Sequence, residues 1–356
     1  MIKSKCNIIM NYNVEWYILL KCAICEMDDE VEELIKNNAI NWGELIEQAM
    51  RHKLLPMLSH YLTNEKIFDY LPPFINQYFG LIYTINKHKV DLHFKEAKEL
   101  QNIFEENSIN FAFTKGIILE NNLYENRGYR FMSDIDLLLN PKDQEKVTQL
   151  LKQNNYFVGT VDWKNNQFIP MPRDKYLLYI STKDKLPEYI KKIDDEFFKS
   201  ISIGLDMHFT WNNSNWQIDM HKALNNINKN ENGLYVMNDI YHFLYIILHL
   251  YRHAHLKTLL KYNNDVNIVK FADVYLYWNK NKLNMKNISN IIKLLNIVEP
   301  VMWVLYNTDI VFGSKICDEI DIDISKQIKS WSKEFNIMDR LYTKDRRTLV
   351  EVINYE

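Results

Sequence analysis

With only eight glycines and eight prolines in 356 residues, this chain is short of the residues that turn a backbone sharply. That is roughly 2% of each, against usual levels of about 7% and 5%. Glycine supplies positive φ and proline pre-sets φ for turns, so a chain poor in both has little means of making many tight hairpins. It should be mostly helical, and each glycine it does carry becomes a positional clue. At 47% hydrophobic residues, it has material for two or three packed units.

Pattern supports helices over residues 10–100. Ile46, Ala49, Met50 and Leu54 recur at helical spacing, and 95–101 is a strongly helix-forming run. The periodicity changes after Asn107. Asn110-Phe111-Ala112-Phe113 reads as a short buried strand running into Thr114-Lys115-Gly116, with a helix over 117–124 and a polar loop to Gly128. A second strand occupies 134–139. Asn140-Pro141 then opens a helix, because Asn caps and Pro fits the first helical position. A third strand begins at Tyr156. Pro170, Pro172 and Pro187 break up 160–200, whereas 200–209 alternates polar and apolar residues as a strand does. Helices return at 239–255 and 267–278. The expected architecture is an α+β core with a small mixed sheet at 96–225, between an N-terminal helical region (1–95) and a C-terminal helical domain (226–356).

Within that core, Asp134 and Asp136 share one face of a strand, since successive side chains alternate. Two neighbouring carboxylates repel, and a divalent cation removes the repulsion. Mg²⁺ favours a few carboxylates completed by phosphate oxygens and water, so the pair reads either as a site for a metal-bound triphosphate or as two ordinary aspartates at an exposed strand end, and its neighbours favour the first. Lys115-Gly116 lies between a strand and a helix, where free backbone N–H groups and the helix dipole attract anions. Arg130 can reach triphosphate oxygens or neutralise the aspartates, and Arg127 reads as a loop residue. Asp206 lies on the later strand with His208 two residues on. If that strand pairs beside the first, Asp206 completes a three-carboxylate cluster able to hold a second ion and help deprotonate an acceptor.

Other chemistries find no support. The net charge of −3 gives no global basic field, so nucleic acid is not the favoured partner. Cys22-Ala-Ile-Cys25 lies in an apolar helical run and reads as core packing, with no second ligand pair for zinc. His249-Leu-Tyr-Arg-His253 lacks the glutamate of a metalloprotease helix and reads as core or acceptor-side packing. Residues 1–10 lack the apolar run of a signal peptide, and 243–250 is too short to span a membrane, which points to the cytoplasm. Phosphate-loop, Gly-x-Gly-x-x-Gly and nucleophile-elbow motifs are absent.

Phe113-Thr114-Lys115-Gly116, Leu123-Tyr124, Arg130 and Ser133-Asp134-Ile135-Asp136-Leu137-Leu138-Leu139, with Leu205-Asp206-Met207-His208-Phe209-Thr210-Trp211, resemble the uncharacterised nucleotidyltransferase family of the DNA polymerase β superfamily. Similar patterns lie at 42–58, at His249 to His253 and at Asp273, so the resemblance covers most of 15–280. It implies a polymerase-β-like core with Asp134, Asp136 and Asp206 as metal ligands and Lys115-Gly116 as the nucleotide-binding turn. Ser133, Arg130 and His208 join the nucleotide-binding set. Many superfamily members carry Gly-Ser where this chain has Lys115-Gly116. The implied activity is Mg²⁺-dependent transfer of a nucleoside monophosphate from an NTP, with ATP as the first choice. Two ions are expected, Mn²⁺ being the alternative metal, and the acceptor is a hydroxyl or phosphate of a small molecule or peptide. The competing readings are a toxin-like transferase acting on tRNA or protein, and a nucleotide-binding subunit without catalysis.

Overall fold

The computed structural model describes residues 13–342, apart from 64, 163, 183–185, 212–213, 257–258, 260–264 and 335. The reading of residues 1–10 as free of a signal peptide lies outside them. The chain forms two compact units, Met1–Tyr83 with Phe243–Glu356, and Thr84–His242.

The first unit is helical. Its early helices, Val14–Ala23, Asp29–Asn37 and Trp42–Arg51, each start where an Asn or Asp side chain accepts a backbone N–H three residues on. Those caps (Asn13, Asp28, Asn41) satisfy donors that the first helical turn leaves open. Trp16 packs edge-on against His52 and Tyr342, with centroids 5.3 and 5.4 Å apart. Cys22 is fully buried among apolar neighbours, as its place in the helical run suggests. Later helices include Ile268–Asn281, Val298–Phe312 and Ile337–Tyr342. Arg340 donates from Nε to Asp265 at 2.6 Å and from Nη2 to the Ala254 carbonyl at 2.6 Å, closing a buried ion pair. The His249 and His253 rings lie with centroids 4.1 Å apart and planes tilted by 42°, and Lys270 Nζ lies 2.8 Å from His253 Nδ1. These two histidines therefore pack against each other and a lysine.

The second unit is built on a mixed sheet. Its strands are β1 (Phe111–Thr114), β2 (Ile135–Leu139), β3 (Tyr156–Asp162), β4 (Gln167–Pro170), β5 (Tyr189–Lys192), β6 (Ser200–Asp206), β7 (Ile227–Lys229) and β8 (Tyr235–Met237). They line up as β4-β3-β5-β6-β2-β1-β8-β7. β2 runs antiparallel to β1 and parallel to β6. Ile135, Leu137 and Leu139 of β2 and Ile201, Ile203 and Leu205 of β6 turn one way, onto Val90, Ala97, Leu100 and Phe104 of the long helix Pro73–Glu106. Phe104, Phe111 and Phe113 meet edge-to-face at 5.1 and 5.5 Å.

The class is α+β, as the sequence suggests, but the sheet is larger than expected. Strands β4, β5, β7 and β8 and the helix Arg173–Thr182 were not legible. Pro170, read as a break, ends β4 at the sheet edge, where a missing N–H is tolerated. β7 and β8 span three residues each, too few for alternation to register, and Gly233 at φ 77° turns the chain between them. Among the described residues, no helix is long and apolar enough to cross a membrane.

Candidate active site

Sheet register sets the site. Asp136 on β2 pairs with Thr114 on β1 and with Gly204 on β6, while Leu138 pairs with Asp206. Paired positions share a face, so Asp136 and Asp206 lie on the same side, one strand apart and one pleat apart. Gly204 has no side chain to fill the space between. Lys115 follows directly after β1, and its backbone takes the left-handed conformation, φ 48°. That geometry is uncommon for a residue with a Cβ. Its side chain reaches over β2 to both carboxylates, with Nζ 2.9 Å from Asp136 Oδ1 and 2.7 Å from Asp206 Oδ2. All three side chains keep about a tenth of their exposure (12%, 10% and 13%), so screening is weak and removal of the lysine would leave two carboxylates facing each other.

Gly116 is the second residue of the following helix, Lys115–Tyr124. A Cβ there would meet Met132 Cγ at 3.0 Å and Arg130 Nη1 at 3.1 Å, so the glycine makes room for the guanidinium. Arg130 owes its place to Glu120, a residue the sequence did not single out. The Glu120 carboxylate accepts the N–H groups of Gly128 at 2.6 Å, Tyr129 at 3.4 Å and Arg130 at 2.7 Å. From the other side, Asn86 of the long helix donates to the Gly128 carbonyl at 2.8 Å. Burial pushes the Glu120 carboxyl up from 4.5 to about 7, against the pull of those N–H donors and of Arg130.

Asp134 sits just ahead of β2 and is half-buried. Ser133 Oγ donates to its Oδ1 at 2.8 Å. The charge beside it is Lys89 of the long helix, whose pKa burial lowers and Asp134 draws back up. One turn on, His93 is buried with Nδ1 2.7 Å from the Lys89 carbonyl, and burial pushes its pKa down to about 4. Lys89, like Glu120 and Asn86, sits in a run whose pattern says only helix. His208 is half-exposed and lies past the end of β6, so strand alternation does not carry it to the face of Asp206.

The structure thus joins Asp136 and Asp206 through Lys115, sets Arg130 against Gly116, and holds Asp134 with Ser133. Among the described residues, no three His, Cys, Asp or Glu side chains gather closely enough to enclose a metal ion. The space between Asp136 and Asp206 nonetheless already accommodates a cation, the Lys115 ammonium, and the donors around it are hard carboxylate oxygens of the kind Mg²⁺ takes.

A family model described as "uncharacterised nucleotidyltransferase" matches residues 38–313. The chain belongs to that family. The match takes in the whole Thr84–His242 unit and parts of the helical unit on either side of it in sequence. No curated protein and no solved structure matches the chain. Membership in a nucleotidyltransferase family supports a transferase.

Proposed function

We propose that the protein is a Mg²⁺-dependent nucleotidyltransferase whose sheet unit contains a polymerase-β-like core. It moves a nucleoside monophosphate from an NTP to a hydroxyl or phosphate of a small-molecule or peptide acceptor. The observation that carries this reading is the Lys115 ammonium held between Asp136 and Asp206 on adjoining parallel strands. Two poorly exposed carboxylates this close repel unless a proton or a cation is shared between them, and here the shared charge is a cation.

Asp136, Asp206 and Asp134 would hold the divalent ions, Mg²⁺ or Mn²⁺. Bound there, the ions would neutralise the phosphate chain and make the α-phosphorus a better electrophile. Lys115 would exchange its carboxylate partners for phosphate oxygens. Arg130, fixed by Glu120 and Gly116, would pair with the same chain. The acceptor oxygen attacks the α-phosphorus, the bond from that phosphorus to the bridging oxygen breaks, and pyrophosphate leaves. Asp206 would take the acceptor's proton.

Asp136→Asn tests this directly. Pyrophosphate release from Mg·NTP, with a panel of small-molecule and peptide acceptors, should fall by about two orders of magnitude or more while circular dichroism stays as in the wild type. Transfer at the wild-type rate by the variant would sink the mechanism.

A further inference from the structure

Lys89 presents an ammonium that the fold has walled in but not paired. It stands on the long helix Pro73–Glu106, half-buried, with Nζ 5.0 Å from the ring centroid of Phe131 and 5.8 Å from that of Phe198. Among the described residues no carboxylate closes an ion pair with it. Phe131 lies three residues before Asp134. Phe198 is fixed by Asp195, whose Oδ1 accepts the N–H groups of Phe197 at 2.9 Å and Phe198 at 3.0 Å. Asp195 Oδ2 in turn meets His88 Nε2 at 2.7 Å, which ties that hairpin to the same helix turn as Lys89.

An ammonium is a compact, strongly hydrated charge, and stripping part of its water without supplying a partner is costly. Aromatic faces recover part of the loss and leave the three N–H donors to be satisfied. The group that fits is an oxyanion carrying several acceptors. Asp134 is the charged neighbour, and a divalent ion arriving there would bring phosphate oxygens within reach.

We propose that Lys89 is a phosphate-contacting residue of the nucleotide site, presented beside Asp134 between Phe131 and Phe198. The proposal rests on the nucleotidyltransferase reading and adds to it a cation from outside the strand-and-loop motifs. The site would then set three cations (Lys89, Lys115, Arg130) against three carboxylates (Asp134, Asp136, Asp206). Such a site accepts two divalent ions and a tetra-anionic NTP together with no change in net charge.

Calorimetric titration of the full-length protein with each Mg·NTP separates the possibilities. Lys89→Met keeps the apolar stem between the rings and removes the charge, and Lys89→Arg keeps a charge. We expect K89M to raise the Kd of the NTP that binds best by about tenfold or more, and K89R to recover most of that loss. Binding by K89M within twofold of wild type, with binding lost in Asp136→Asn, would overturn this inference and leave the reading of the site intact. Equal weakening by K89M and K89R would assign Lys89 to packing and overturn it too. Wild-type protein that binds none of the four nucleotides would overturn both. Should K89M fail to fold, Phe131→Leu removes one wall and keeps the lysine, and an unchanged Kd there would count against the proposal in the same way.

Discussion

Lys115 combines a left-handed backbone with an ammonium shared by two carboxylates. A residue with a Cβ held at φ 48° carries local strain, and such strain persists where surrounding interactions fix it. The two ion pairs supply that fixing. Lys115→Met should therefore lower stability in metal-free buffer by about 3–5 kcal/mol, since two little-exposed carboxylates lose their counter-charge. Added Mg²⁺ should raise the variant's melting temperature more than it raises the wild type's. A variant as stable as wild type without metal, and no more responsive to Mg²⁺, would separate Lys115 from the carboxylates. Glu120 gives a pH signature. Its pKa of about 7 in the fold lies above the 4.5 of an ordinary glutamate, so between those values the folded state holds more protons than the unfolded one. Stability is then full below about pH 4.5 and declines as pH rises towards 7, by a few kcal/mol at most. Urea titrations at pH 5 and 7.5 should show this decline in wild type and its loss in Glu120→Gln.

Much of the site was legible because the elements that carry it obey short-range rules. Asp136 and Asp206 could be placed on strands by alternation, and Lys115-Gly116 at a strand-to-helix junction by the switch from Phe111-Ala-Phe to Ile117-Ile-Leu. What stayed hidden is what depends on long-range register. No local pattern says that β6 pairs with β2 so that Asp206 stands opposite Leu138, or that residues 86–93 of a helix lie against 128–134. Alternation cannot reveal where a strand begins or stops either: β2 begins at Ile135 and β6 ends at Asp206, so Asp134 and His208 lie just off the strands expected to align them with Asp136 and Asp206. The loop between the helix Lys115–Tyr124 and β2 shows how few residues fix an element. Gly128 sits at φ 78°, and a Cβ there would come within 2.8 Å of the Lys87 backbone. Gly128→Ala should cost about 1–3 kcal/mol and loosen Arg130. Chemical denaturation reads the first effect and Mg·NTP affinity the second. Unchanged values for both would mean that the loop tolerates the shift.

At the scale of the molecule, the helical unit is discontinuous in sequence and the sheet unit is one unbroken segment. Each has its own buried charge network, Asp265–Arg340 in the first and Asp136–Lys115–Asp206 in the second. Arg340→Met would strand Asp265, whose side chain is fully buried. It should destabilise the helical unit by about 3–5 kcal/mol. Hydrogen exchange should quicken in the helices Val298–Phe312 and Ile337–Tyr342 and stay as in wild type in β2 and β6. Acceleration in both units alike would show that they open together. The same discontinuity bears on synthesis. As the chain leaves the ribosome, everything the sheet unit needs has emerged once His242 is out. Its first-made neighbour, with Trp16 and His52 awaiting Tyr342 and Ile268, remains half a core until almost the last helix appears. The strands that carry Asp136 and Asp206 can thus mature first, and the exposed apolar faces of the early helices are the part of a nascent chain most in need of protection from aggregation.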